Sequence, residues 1–265
     1  MGHGLTREGI LSQLGTRIIG RTLEVHDVID STNTRATALA RAGTLDGTLV
    51  LADEQTGGRG RLGRRWHAPA STSLLMSLVL RPPLTPMQAQ RATMICSLAA
   101  VDAISGMAGV EAMIKWPNDL LIDAKKVGGV LTELGLKGKK LEYVIVGMGI
   151  NVNLDTETLP DLMAPATSLS TARGRAVSRL DLLISLLQHL DVYYARMCSG
   201  WSPHTAWRRV LATLGQSVRV GTQGAVIEGI AEDVNADGAL LVRRTDGTIE
   251  TILVGDVTLR GHALA

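Results

Sequence analysis

Residues 57–66 read GGRGRLGRRW, with arginines at 59, 61, 64 and 65, glycines at 57, 58, 60 and 63, no acid, and Trp66 closing the run. The planar guanidinium fork suits carboxylate and phosphate. Glycines let a backbone bend and approach a ligand closely, and an indole stacks on a ring. The chemistry this stretch suits is the holding of an anion. With no local counter-charge the arginines repel one another, so the loop is expected to be mobile until an anion arrives.

Several uses of such a loop are excluded by its surroundings. Gly58-x-Gly60-x-x-Gly63 has the spacing of a dinucleotide fingerprint, but that fingerprint opens a helix and needs an acid about twenty residues on. Here Pro69 follows, and positions 66–101 hold no Asp or Glu. The Gly-Lys-Ser/Thr of a P-loop and the HRD and DFG of a kinase are absent. With 27 basic and 25 acidic residues and a net charge of +2, the chain is too balanced to bind nucleic acid by overall charge.

Four further stretches carry polar chemistry. Lys115, Asn118 and Asp119 surround Pro117, so one turn can gather an amine, an amide and a carboxylate. Asp119 is a candidate for Mg²⁺, which takes one or two carboxylates and otherwise waters and phosphates; a plain turn explains the same residues. Lys126 precedes Gly128-Gly129 in a predicted strand, and glycine inside a strand marks close approach of a ligand or another backbone. The alternative is a lysine facing solvent. In VIVGMGINVN, Gly147 and Gly149 precede Asn151, and in DSTN the hydroxyls of Ser31 and Thr32 and the amide of Asn33 serve either a ligand or a helix cap. Cys96 and Cys198 sit in apolar helical patterns, with neither a disulfide framework nor a zinc cluster around them. No convincing Ser/His/Asp or Cys/His set is present.

The elements that must position these groups follow from periodicity. Helices are expected over 5–14, 31–43, 86–104, 178–197 and 202–214, the fourth capped by Ser178. Strands are expected over 21–29, 48–55 and 72–82, the last apolar on both faces and so central. Shorter strands follow between 112 and 153, with DAKK (123–126) as a hairpin turn. After Gly215 come short strands with turns at NADG (235–238) and TDGT (245–248), fitting a small antiparallel barrel up to residue 261. The domains are therefore 1–214 and 215–265, and without regular βα alternation the first is α+β. With no Phe and 3% aromatic residues, the core is aliphatic. No signal peptide and no run of 18 apolar residues is seen, so no membrane span is expected, and the location is read as cytoplasmic.

Taken together and in order, DSTN, EQTGGRGRLGRRW, KWPNDLL, KVGGVL and GMGINVN resemble the catalytic core of biotin–protein ligases, over roughly residues 22–155. The tail resembles that family's SH3-like domain. The resemblance implies an α+β, mixed-sheet fold like that of class II aminoacyl-tRNA synthetases, followed by the small barrel. It implies a biotin–[acetyl-CoA-carboxylase] ligase: biotin and ATP give biotinyl-5′-AMP and pyrophosphate, with Mg²⁺, and biotin then passes to a lysine of a biotin carboxyl carrier protein domain. By the same resemblance, Ser31, Thr32, Gln55, Gly58, Arg59, Gly128, Gly147 and Gly149 serve biotin, and Arg64, Trp66, Lys115, Asn118 and Asn151 serve ATP. Lys126 and Arg61 serve both, Lys126, Arg61 and Lys115 are the catalytic set, and Asp119 is the metal ligand. Gly57 stands where the family often has Ala. About twenty residues precede the first strand, too few for the winged helix that some members carry, so no DNA partner is expected; a homodimer is compatible with the sequence. The rivals are a lipoate–protein ligase of the same fold and a nucleic-acid-binding protein using the arginine loop.

Overall fold

The computed structural model describes residues 5–156, 165–222 and 225–259. Its larger part is a seven-stranded sheet in the order β1-β2-β3-β7-β6-β5-β4. The strands are β1 (Leu23–Ile29), β2 (Thr48–Gln55), β3 (Ser73–Leu80), β4 (Met113–Lys115), β5 (Asp119–Ile122), β6 (Lys125–Lys137) and β7 (Lys140–Asn151). Only β1 and β2 pair in parallel, joined by the helix α2 (Thr32–Arg41); every other neighbouring pair is antiparallel. The α+β expectation holds.

Strand alternation divides the sheet into two unlike faces. On β3, Leu74, Met76, Leu78 and Leu80 enter the main core; on β7, Val144, Val146, Met148 and Ile150 do the same. Against them pack α1 (Arg7–Gln13), α3 (Gln90–Ala108) and α5 (Arg179–Cys198). The other face of β3 and β7 presents Val79, Tyr143 and Ile145 to the small residues Ala36 and Ala40 of α2. Further along the same face it presents Ser77, Gly147 and Gly149. There the sheet stops being oily, and the polar groups collect.

α5 is capped as its sequence predicts, the Ser178 hydroxyl accepting from the Asp181 amide. With its short lead-in from Pro86, α3 is long and apolar enough to match a membrane span, but most of it is buried inside the protein; it is the central core helix. The helix expected over 202–214 is shorter, α6 (His204–Arg209). Residues 210–212 instead pair with Ile114 of β4 and cover that edge of the sheet. A short helix not anticipated from the sequence, α4 (Leu169–Arg173), follows the undescribed stretch 157–164.

The C-terminal part is a five-stranded antiparallel sheet, β11-β10-β9-β8-β12, built from β8 (Ser217–Gly221), β9 (Val226–Val234), β10 (Leu240–Arg243), β11 (Ile249–Ile252) and β12 (Asp256–Leu259). Residues 260 and 261 of the expected barrel lie outside the described residues. The antiparallel sheet is as expected; among the described residues no pairing joins β11 to β12, so its closure into a barrel is not seen. It is fastened to the larger part at several points. The Trp116 indole N–H donates to the Gly238 carbonyl at 2.8 Å, and Arg91 pairs with Asp237 at 2.9 Å.

Candidate functional site

A cleft of about 810 Å³ opens on the polar part of the sheet. One end is neutral. Ser31, Thr32 and Asn33 begin α2 and are almost fully buried, 3%, 3% and 4% exposed. Ser31 stands at the N-cap position, yet its hydroxyl makes no cap bond. Gln55, at the end of β2, supplies the acceptor instead: its Oε1 takes the Thr32 amide at 2.8 Å and the Thr32 hydroxyl at 3.0 Å. Ser77 donates toward Thr32 Oγ1 at 2.7 Å and Asn33 Oδ1 at 2.6 Å. Gly147 makes this possible, since a Cβ there would land on the Asn33 amide. The helix start is thus held by side chains from two strands and keeps its polar groups at the cleft wall.

The other end is charged. The loop after β2 folds back on itself, Gly60 N–H donating to the Arg64 carbonyl at 2.7 Å and Trp66 N–H to the Gly58 carbonyl at 3.0 Å. Gly58 has no room for a side chain; a Cβ would meet the Trp66 carbonyl at 2.5 Å. Arg59 and Arg64 find partners, because distant elements supply the acids the loop lacks. Arg59 pairs with Glu133 of β6 at 3.3 Å, and Arg64 pairs with Asp256 of β12. Arg61 donates to Asn118 Oδ1 at 3.1 Å and to the Gly255 carbonyl at 2.9 Å. Burial pulls the Arg61 guanidinium below its usual value, partly countered by Asp256 and Asp119. Arg65 also lines the cleft and has no ion-pair partner among the described residues.

Lys126 stands between the two ends. Its Nζ lies 2.7 Å from Asp119 Oδ1 and 5.6 Å from the centre of the Trp66 ring. A two-residue turn at Asp123-Ala124, both with positive φ, joins β5 to β6 as the hairpin reading predicts. Immediately afterwards β6 bulges: Leu121 pairs with Lys126, but Leu120 pairs with Gly128. The extra residue, Val127, is buried in the core, and the bulge swings Lys126 onto the cleft side. Its backbone is clasped by residues 165–167, Lys126 N–H donating to the Pro165 carbonyl and Thr167 N–H to the Lys126 carbonyl.

Most of the residues singled out from the sequence meet here. Ser31, Thr32, Gln55, Arg59, Arg61, Arg64, Trp66, Asn118, Asp119, Lys126, Gly147 and Gly149 all line the cleft. Four do not. Gly128 pairs with Ile150 on the core side, where a Cβ would meet the Gly149 carbonyl at 2.8 Å; the glycine that opens on the cleft is Gly129, opposite Gly149. Gly58 serves the fold of the loop. Lys115 lies on β4, its carbonyl accepting from the Asn118 amide at 3.1 Å. Asn151 is buried behind the wall, donating to the Thr167 carbonyl at 3.1 Å, while its Oδ1 has no partner among the described residues. Trp66 packs its ring on Gly149, where a Cβ would lie 2.5 Å from the indole, and its buried N–H has no acceptor among the described residues.

Sequence reasoning missed Ser77, Glu133 and Asp256, and named Arg65 among the loop's arginines without giving it a role. Glu133 left one signal, a charge within the apolar run VGGVLTEL. Asp256 left none, since only the docking of the second sheet brings it to the cleft. Among the described residues no three metal-ligating side chains cluster.

The chain has clear relatives. Residues 25–151 match the model of the biotin/lipoate A/B protein ligase family, and residues 213–260 match the biotin protein ligase C-terminal domain. The bifunctional ligase/repressor BirA of Bacillus subtilis is 36% identical over 258 residues, covering 96% of this chain and 79% of the relative. A biotin–[acetyl-CoA-carboxylase] ligase of Paracoccus denitrificans is 35% identical, covering 82% of this chain and 92% of the relative. Among solved structures, the biotin protein ligase from Aquifex aeolicus in complex with biotin and ATP superposes with a TM-score of 0.76 at 29% identity, covering 91% of this chain and 99% of that one. With these relatives matched over most of their length, and the biotin protein ligase C-terminal domain matched as well, the chain belongs to the biotin protein ligase family.

Proposed function

We propose that this protein is an ATP-dependent biotin–[acetyl-CoA-carboxylase] ligase. The observation that carries this is the division of one cleft into a neutral hydroxyl–amide end and an arginine end, with Lys126 between them. The neutral end suits the ureido ring of biotin. The arginine end suits its carboxylate and the phosphates of ATP. A carboxylate oxygen attacks the α-phosphorus, the bond to the β-phosphate oxygen breaks, and pyrophosphate leaves. In the second step a carrier lysine amine attacks the acyl carbon, the C–O bond breaks, and AMP leaves.

Both reactants of the first step are anions, so fixed positive charge lowers its barrier. Lys126 bridges the carboxylate and the α-phosphate, exchanging Asp119 for the substrates. Arg61 and Arg64 hold phosphates, and the folded loop keeps water from the acyl-adenylate. Trp66 offers its ring to the adenine. Mg²⁺, when bound, neutralises phosphate charge, and Asp119 offers the single carboxylate such an ion needs. Lys115 and Asn151 act from behind the wall, by supporting Asn118 and the backbone around Lys126. The outer edge of β1 carries no further strand among the described residues. It offers a place where an acceptor domain, or a second copy of the chain, would add one. ATP dependence suits a cytoplasmic setting.

The deciding experiment is incubation with ATP, Mg²⁺, a biotin carrier domain and either biotin or lipoic acid, read by adenylate formation and by streptavidin. ATP-dependent labelling with biotin is expected. An adenylate formed from lipoic acid and not from biotin would replace this reading with its nearest rival.

A further inference from the structure

A chain of hydrogen bonds behind the cleft ends on a carboxylate that neither chemical step uses. Glu133 pairs with Ile145 across β6 and β7. It is not part of the cleft lining, but both its partners are. Its Oε2 accepts from Asn33 Nδ2 at 2.7 Å, and its Oε1 lies 3.3 Å from Arg59 Nη2. One partner belongs to the neutral end, the other to the loop.

A carboxylate accepts hydrogen bonds and does not donate them. Asn33 must therefore turn its NH₂ toward Glu133 and its oxygen toward Ser77, which donates to it at 2.6 Å. The absent side chain of Gly147 leaves the space for that oxygen. Ser77 in turn reaches Thr32, which donates to Gln55. One acid thus sets the direction of the Asn33 amide, and through it that of the Ser77 hydroxyl, and also holds an arginine of the closing loop.

We propose that Glu133 is a positioning residue that couples the two ends of the cleft, orienting the Asn33 amide and anchoring Arg59 so that filling the neutral end favours the closed loop. This rests on the biotin-ligase reading. A shift of Asn33 on ligand binding passes to Arg59 through a single carboxylate. The coupling is reciprocal, so a closed loop also tightens the neutral end.

The test uses the full chain with Glu133→Gln, Glu133→Ala and Glu133→Asp. Glutamine keeps an oxygen for Asn33 but loses the charge that holds Arg59, whereas alanine removes both. For Glu133→Gln, the release rate of biotinyl-AMP is expected to rise about fivefold, while the KM for biotin moves by less than about twofold. For Glu133→Ala both should rise about tenfold, and Glu133→Asp should recover part of each. In an Arg59→Ala background, Glu133→Gln should add nothing to the release rate. Melting temperatures of the Gln and Asp variants report that the fold is intact, so the proposal stays testable if the Ala variant does not fold. Release from Glu133→Gln at the wild-type rate, or multiplying effects of the two substitutions, would overturn the coupling. A wild type that makes no biotinyl-AMP would instead sink the functional reading itself.

Discussion

The neutral and charged ends of the cleft are held in opposite ways. Ser31, Thr32, Asn33 and Ser77 are nearly or fully buried, at most 4% exposed; hydroxyls and amides join Thr32, Asn33 and Ser77, and the Glu133 carboxylate accepts from Asn33 behind them. The side chains of Arg59 and Arg64 are 49% and 46% exposed and lean on acids. Half-exposed ion pairs contribute about 0–1 kcal/mol each and are screened by salt. A buried polar network, by contrast, resists any change of volume or polarity. The difference teaches how one cleft can be both selective and quick to close. The neutral end is finished before a ligand arrives, while the charged end exchanges protein carboxylates for substrate anions at little net cost.

Lys126 belongs to the charged end but should be its exception, because it lies between the reacting groups. Lys126→Ala is expected to slow pyrophosphate release by about a thousandfold, roughly 4 kcal/mol of barrier. A rate within about threefold of wild type would remove it from the chemistry. At the neutral end, Gly147→Ala forces a methyl group onto Asn33 and should weaken biotin binding about a hundredfold, near 3 kcal/mol. Calorimetry at low and high salt should give the same loss, and a loss that shrinks with salt would blur the two ends. At the charged end, Asp256→Asn frees Arg64 and should raise the KM for ATP about fivefold, with the difference fading as salt increases. A salt-independent effect would make Asp256 part of the rigid wall.

The smallest expected effect lies beside the cleft and concerns stability. Arg179, only 9% exposed at its side chain, pairs with Asp53 at 2.5 Å. Burial raises the Asp53 carboxyl, but Arg179 and Ser71 outweigh it and hold the group below the usual 3.8. A depressed folded-state pKa means the stabilisation is full above the unfolded value and is lost as pH falls through the folded one. Asp53→Asn should therefore cost about 1–2 kcal/mol in urea unfolding near neutral pH. The gap from wild type should close as pH falls through the lowered folded-state value of Asp53. A gap that persists in acid would show that shape, not charge, is at work.

Much of this could be read from the sequence, for physical reasons. β2 spans Thr48–Gln55 as expected, and the Ser178 cap and the Asp123-Ala124 turn follow from local rules that need no partner. The five polar motifs could be read because each packs several chemical groups into a few residues. What could not be read depends on pairing. Gly128 and Gly129 are indistinguishable in a string, and only the register against Ile150 and Gly149 says which one opens on the cleft. The counter-charges of the loop lie in β6 and β12, so the loop looked unpaired. The C-terminal sheet gave up its strands through its turns, but whether it closes depends on strand geometry that turns do not encode.

The bulge at Val127 works as a parity switch. In an unbroken strand, Lys126 would share its side with Gly128, among Val130 and Ile150. The single surplus residue reverses odd and even, so that an ammonium group faces the ligand while every position beyond it stays in step with the core. Two strands could trade nearly any side chain and keep this arrangement, but a register in which Val127 took its own place in the ladder would leave the composition unchanged and send the lysine to the core side.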